Sequence, residues 1–231
     1  MNLLKKLKGY FTPTEIAIWT SSVFLIILSF IVFDRENYLT LTASLLGATS
    51  LMLCAKGNPI GQIIVIIFST LYAYISYTYS YYGEMITYMC MTAPMAVLAL
   101  ISWLRNPYNG NHAEVRVNRI SRRELGLMLL LSLIVTVAFY FILKAFGTAN
   151  LLVSTLSITT SFAAVYLTYR RSPYFAVAYA INDVVLISLW LFATLDDPSY
   201  VSVIICFVTF LANDVYSFLN WRRMEKRQSE G

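Results

Sequence analysis

Charge is scarce in this sequence. Of its 231 residues, 13% are Asp, Glu, Lys or Arg, against about 25% in a soluble domain. Histidine is scarcer: His112 stands alone, in the polar stretch NPYNGNHAEVR. There is no H-E-x-x-H, no G-x-S-x-G and no phosphate-cradling glycine loop. The motif-borne chemistries of metalloproteases, serine hydrolases and P-loop enzymes are therefore excluded. No nucleophile has a base nearby in sequence, so the chain does not read as an enzyme and calls for no cofactor. The cysteines, Cys54, Cys90 and Cys206, lie in apolar runs without metal-ligand spacing and read as small core hydrophobes.

What the chain has is hydrophobicity. Apolar residues make up 58% of it and the mean hydropathy is +0.66. A helix spanning a bilayer needs about 20 mainly apolar residues. Eight stretches qualify: 16–33, 39–55, 59–80, 84–104, 125–145, 150–169, 174–195 and 199–221. The runs do not alternate apolar with polar, which excludes an outer-membrane barrel. The opening MNLLKKLKGYFTPTE lacks a small-residue cleavage site and reads as a retained amphipathic lead-in over 1–15.

The few charges are sorted. Fifteen of the 17 basic residues fall on alternate ends of the runs, from Lys5 through Lys56, Arg105–Arg123, Arg170 and Arg171 to Arg227. The opposite ends carry Arg35 and Lys144 with Asp34, Glu36, Glu84, Asp196 and Asp197. Basic loops mark the cytoplasmic side, so both termini are expected there. The net charge of +5 is thus a topology signal, and no nucleic-acid partner is expected. The lipid bilayer is.

The runs also repeat. LLGATSLMLCAKGNPI (45–60) and TTSFAAVYLTYRRSPY (159–174) both carry a small-residue helix into a basic turn, after which a proline opens the next helix. Lys56 and Arg170 are 114 residues apart, as are Pro59 and Pro173. The third runs end alike, in ISWLRNP and FLNWRRM. The expected fold is an all-α integral membrane protein with eight transmembrane helices in a 1 + 3 + 1 + 3 order. It comprises an extra first helix (16–33), a three-helix bundle (39–104), a cytoplasmic loop (105–124), a linker helix (125–145), a second three-helix bundle (150–221) and a cytoplasmic tail (222–231). An odd linker gives the two bundles one orientation. Parallel repeats of this kind occur in SWEETs and in the halves of MFS transporters, with the substrate near the midplane between repeats.

Polar residues inside such helices are costly, about 2.5–3.5 kcal/mol for a central Asp, and by default functional. The triplet Asn-Asp-Val occurs twice, at Asn182-Asp183 and Asn213-Asp214. Both pairs fall about 12 Å from the basic ends of consecutive helices. Asn213, Ser217 and Asn220 share one helix face, and Tyr179, Asp183 and Trp190 share another. The first bundle offers Gln62 and Ser69, seven residues apart, with Ser69 at the repeat position of Asp183. The expected substrate site therefore comprises Asn182, Asn213, Asp183, Asp214, Trp190, Tyr179, Gln62, Ser69, Ser217 and Asn220. Asparagines also join membrane helices, at about 0.6–2 kcal/mol per contact; that alternative stands beside the site reading. The tyrosine-rich YAYISYTYSYY (72–82) reads as an outer aromatic belt. With no paired Lys or Arg in the spans, a neutral or cationic substrate fits better than a strongly anionic one.

The turn AKGN (55–58), YYGEM (81–85), PM followed by SWLRNP (94–107), AINDVVLISLW (180–190) and CFVTFLANDVYSFLNWRRM (206–224) together resemble the PnuC family of vitamin transporters. The resemblance covers about 40–224 and leaves out the first helix. It implies a SWEET-like fold, usually a homotrimer, in the bacterial inner membrane. It also implies facilitated diffusion of nicotinamide riboside, with cytoplasmic phosphorylation trapping the product. Asn182 and Asn213 match polar positions facing the family's site; the Asp after each is not general among members. Thiamine or riboflavin remains an alternative substrate. So does a proton-coupled carrier with Asp183 and Asp214 as relay.

Overall fold

The computed structural model describes residues 9–78, 82–148, 150–195 and 197–230. Most of the lead-in, residues 79–81 of the tyrosine-rich stretch and Asp196 lie outside them. Among the described residues, eight helices are long and apolar enough to cross a membrane. They are α1 (Pro13–Phe33), α2 (Tyr38–Ala55), α3 (Ile60–Thr78), a composite span from α4 (Tyr82–Ile86) to α5 (Ala93–Leu104), α6 (Arg122–Ala145), α7 (Leu151–Tyr169), α8 (Phe175–Ala193) and α9 (Val201–Glu230).

Local sequence explains their ends. Thr12 and Glu15 form a capping box at the start of α1, with Pro13 in the first turn. Ser121 and Glu124 do the same for α6. Each box satisfies two of the backbone donors that a helix start leaves open. The fourth span contains a π-helical segment, Thr87–Thr92, just before Pro94. Proline has no N–H to continue the α ladder, and the Ala93 amide reaches back to the Tyr88 carbonyl instead. The sequence reading treated 84–104 as one regular helix; the wider turn rotates Thr87, Tyr88 and Thr92 onto one inner face.

The repeat holds at the level of single hydrogen bonds. After α2, Asn58 N–H donates to Leu53 O and Gly57 N–H to Cys54 O. After α7, Ser172 N–H donates to Leu167 O and Arg171 N–H to Thr168 O. Every member of the second set lies 114 positions beyond the first. Both turns place a left-handed residue past the helix end, Gly57 at φ 67° and Arg171 at φ 56°, as a Schellman cap requires. The third spans then cross over. The Trp103 indole donates to Thr168 O in the second bundle (2.9 Å), and the Trp221 indole donates to Cys54 O in the first (2.9 Å). The two indoles touch, with ring centroids 5.4 Å apart, and both are buried.

The structure adds detail to two sequence expectations and corrects a third. The stretch after α5 is not a plain loop: β1 (Pro107–Tyr108) and β2 (Asn111–Val115) form a hairpin. Asn109 and Gly110 both have positive φ, as a two-residue hairpin turn prefers. The hairpin and its exit are stitched to both repeat turns, with Val115 N–H to Gly57 O and Asn118 N–H to Arg171 O. The expected tail 222–231 is mostly helix, since α9 runs on to Glu230 and its Gln228 bonds Glu114 and Val117 of the hairpin region. Cys90 is exposed on the outer face of the π-helical segment, whereas Cys54 and Cys206 are buried. The exposed face of α6, with Leu129, Leu133, Ile134 and Phe141, suits lipid.

Candidate functional site

Two consecutive helices supply the buried acids. On α8 the positions Phe175, Tyr179, Asn182, Asp183 and Leu186 form one stripe, and on α9 so do Phe207, Phe210 and Asp214. These stripes face each other and, with Gly47, Leu51 and Cys54 of α2, Gln62, Val65 and Phe68 of α3, Thr87, Tyr88 and Thr92, and Ser161, Val165 and Thr168 of α7, enclose a cavity of about 100 Å³. It lies between the two bundles. Positions 47, 51 and 54 and their partners 161, 165 and 168, at the repeat offset, line opposite sides of it.

The chemistry of the cavity is one-sided. Asp183 and Asp214 are 4% and 2% exposed, and their side chains lie close to each other. Asp183 Oδ2 and Asp214 Oδ1 have no partner. Among the described residues, no Lys, Arg or His lines the space. The Asn182 carbonyl accepts from Thr160 (2.7 Å) and Ser161 (3.0 Å), which fixes its side chain at the wall. Gln62 donates to the Cys54 sulfur at 3.3 Å. Burying a carboxyl oxygen without a partner is costly, so the pair is poised for a ligand that brings donors or positive charge.

The structure thus brings Asn182, Asp183, Asp214, Tyr179 and Gln62 together and places the other five expected residues elsewhere. Neighbouring helix positions point about 100° apart, so when Asp214 faces the cavity Asn213 does not. Asn213 donates to Ser22 of α1 (2.9 Å) and to Thr209 O (2.7 Å). Ser217 donates to the Asn213 carbonyl, and Asn220 to Ala55 O at the end of α2. Ser69 is fully buried in α3 and its hydroxyl meets neither cavity. Trp190 continues the α8 stripe, seven residues and about 10 Å beyond Asp183, into a second chamber. Missing from the sequence reading were the rings of Phe68, Phe207 and Phe210, which line both chambers and stand between them. The repeat offset could have found Phe68, which is the counterpart of Asn182.

Residues 37–223 match the sequence pattern of a family described as nicotinamide mononucleotide transporter. The chain belongs to this family. The family is one of transporters, not enzymes. Among curated relatives, the nicotinamide riboside transporter PnuC of Neisseria mucosa is 25% identical over 229 residues, covering 97% of this chain and 87% of that protein. The PnuC of Haemophilus influenzae is 22% identical over 233 residues, covering 98% and 99%. A solved structure described as the vitamin B3 transporter PnuC superposes with a TM-score of 0.83 at 24% identity, over 99% of this chain and 100% of that one; this likeness shows the fold. The pattern begins after α1, but all three pairwise comparisons extend through it. The alignments with these relatives therefore include the first helix.

Proposed function

We propose that this transporter carries nicotinamide riboside across the bacterial inner membrane, entering at the acid-lined end and leaving at the basic end. The observation that carries the reading is the pair of carboxyl oxygens without a hydrogen bond, Asp183 Oδ2 and Asp214 Oδ1, in a cavity that no cationic side chain lines among the described residues. Nicotinamide riboside offers a pyridinium charge, an amide N–H₂ and ribose hydroxyls. The carboxyls suit those donors, the Asn182 side-chain N–H₂ suits the carboxamide or a ribose oxygen because its own oxygen is held by Thr160 and Ser161, and Tyr88 and Tyr179 offer ring faces for the cation. The family's description names the mononucleotide, whereas the relatives are called riboside transporters. The cavity favours the riboside, because a phosphate brings about −1.5 to −2 charges against two acids and no base.

The same asymmetry supports facilitated diffusion with trapping: once phosphorylated at the basic end, the product no longer suits the site. That end faces the cytoplasm in this reading, with both termini there, because 15 of 17 basic residues gather on it. The homotrimer is carried over from the family resemblance. A proton-coupled mechanism is the second reading, favoured by the contact between Asp183 and Asp214. Uptake of labelled riboside and mononucleotide into proteoliposomes, with and without a pH gradient, tests both. Riboside uptake well above mononucleotide uptake, unmoved by the gradient, is expected. Equal uptake of the two compounds refutes the charge argument, and concentrative uptake driven by the gradient selects the coupled carrier.

A further inference from the structure

The larger cavity is not the one between the carboxyl pair. A chamber of about 150 Å³ lies toward the acidic ends of the helices. Helix α1 supplies part of its wall through Ile26, Ser29 and Phe30, with Asp34 at its end. Its floor is the group Phe68, Phe207 and Phe210 that it shares with the inner cavity. Trp190 and Tyr200, with ring centroids 5.1 Å apart, form one side, and Tyr72 stands on another.

The carboxyl groups that line it come from three parts of the chain. Asp34, Glu84 and Asp197 line it, and among the described residues no Lys, Arg or His does. The nearby Arg35 turns back to bond the Ile31 carbonyl. Asp34 holds Asn37 through one oxygen, which accepts from both its backbone and its side chain. Glu84 stands beside Tyr72 in the wall, and its Oε2 is buried without a partner. A dry cavity of about 150 Å³ is large enough to take up benzene, so a single heteroaromatic ring fits this space. Aromatic faces backed by carboxylates are the chemistry that holds an organic cation.

We propose that this chamber is a second binding site, which takes the positively charged heteroaromatic ring of the substrate before it passes the phenylalanine partition. The inference rests on the nicotinamide riboside reading above. It assigns α1 a share in substrate capture, and it gives Glu84 and Asp34 a role separate from that of Asp183 and Asp214. It also explains why the entrance is acidic: fixed charge of one sign raises the local concentration of an opposite ion and its rate of arrival.

The test compares two substrates that differ in charge. Reduced (dihydro) nicotinamide riboside keeps the ribose and the carboxamide but has an uncharged ring. Half-saturation for uptake of each is measured in proteoliposomes containing the full chain. In the wild type the cation should be preferred. Glu84→Gln should cut that preference about tenfold, the low end of electrostatic recruitment, and raised ionic strength should cut the wild-type preference in the same direction. Asp34→Asn, at a helix end, should show a smaller loss of the same kind and serves if the Glu84 variant does not fold. A preference for the cation that is unchanged in both variants overturns the chamber as a site while leaving the functional reading intact. A wild type that carries neither compound overturns both.

Discussion

Replacing Asn213 with Ala separates a residue that holds the fold from one that holds the substrate. The side chain is 1% exposed and donates to Ser22 at 2.9 Å and to Thr209 O at 2.7 Å. Each such bond contributes about 0.5–1.5 kcal/mol net, so the substitution should cost about 1–3 kcal/mol of stability. The bond to Ser22 ties α9 to α1, so the loss should be read most strongly in the packing of the first helix. The riboside should still bind the folded variant with nearly wild-type affinity, because the cavity is lined by Asp214 and not by Asn213. The neighbouring variant Asp214→Ala is the counterpart: losing a hydrogen bond from a charged group should weaken binding by about 1.5–3 kcal/mol, or about 10- to 150-fold. Thermal unfolding without ligand and a binding titration on the same purified proteins read both quantities. An Asn213→Ala protein that melts with the wild type yet binds more than about fivefold weaker, beyond one lost hydrogen bond, would refute the geometry.

Trp103→Phe and Trp221→Phe should each cost about 1–2 kcal/mol, since each removes one indole hydrogen bond to a carbonyl that keeps a backbone donor; unequal melting shifts would contradict the repeat. Glu15→Gln should destabilise by about 2–4 kcal/mol in thermal unfolding, because it breaks a largely buried ion pair with Lys56 and weakens the bond from Tyr216; a neutral result would mean the N-terminal helix is held by its apolar face alone. For topology, cysteine placed at 197 should react with an impermeant reagent in intact cells and cysteine at 116 should not; labelling of 116 would reverse the orientation.

The spans were legible because apolar run length and the sorting of Lys and Arg follow from the bilayer itself, whatever the tertiary packing. The repeat was legible from punctuation, since Lys56 and Pro59 recur as Arg170 and Pro173. Which way a helix is rotated was not. Shared height put Asn182 and Asn213 together, but only packing decides that 207, 210 and 214 face inward while 209, 213 and 220 face α1 and α2. Asn109-Gly110 carried a hairpin signal inside a polar stretch too short for periodicity to register. The outer chamber needed α1 to be placed against α9, a contact 191 residues apart at Ser22 and Asn213 that no local pattern announces.

The crossed tryptophans bear on how such a molecule can move. Trp103 and Trp221 fasten each bundle to the other's first helix, and the two rings rest on one another. Shifting one indole removes the support of the second, so the two fastenings yield together. Widening at the basic end should therefore break both fastenings together, like a lock that needs two keys, whereas the phenyl rings between the two chambers carry no polar bond to break.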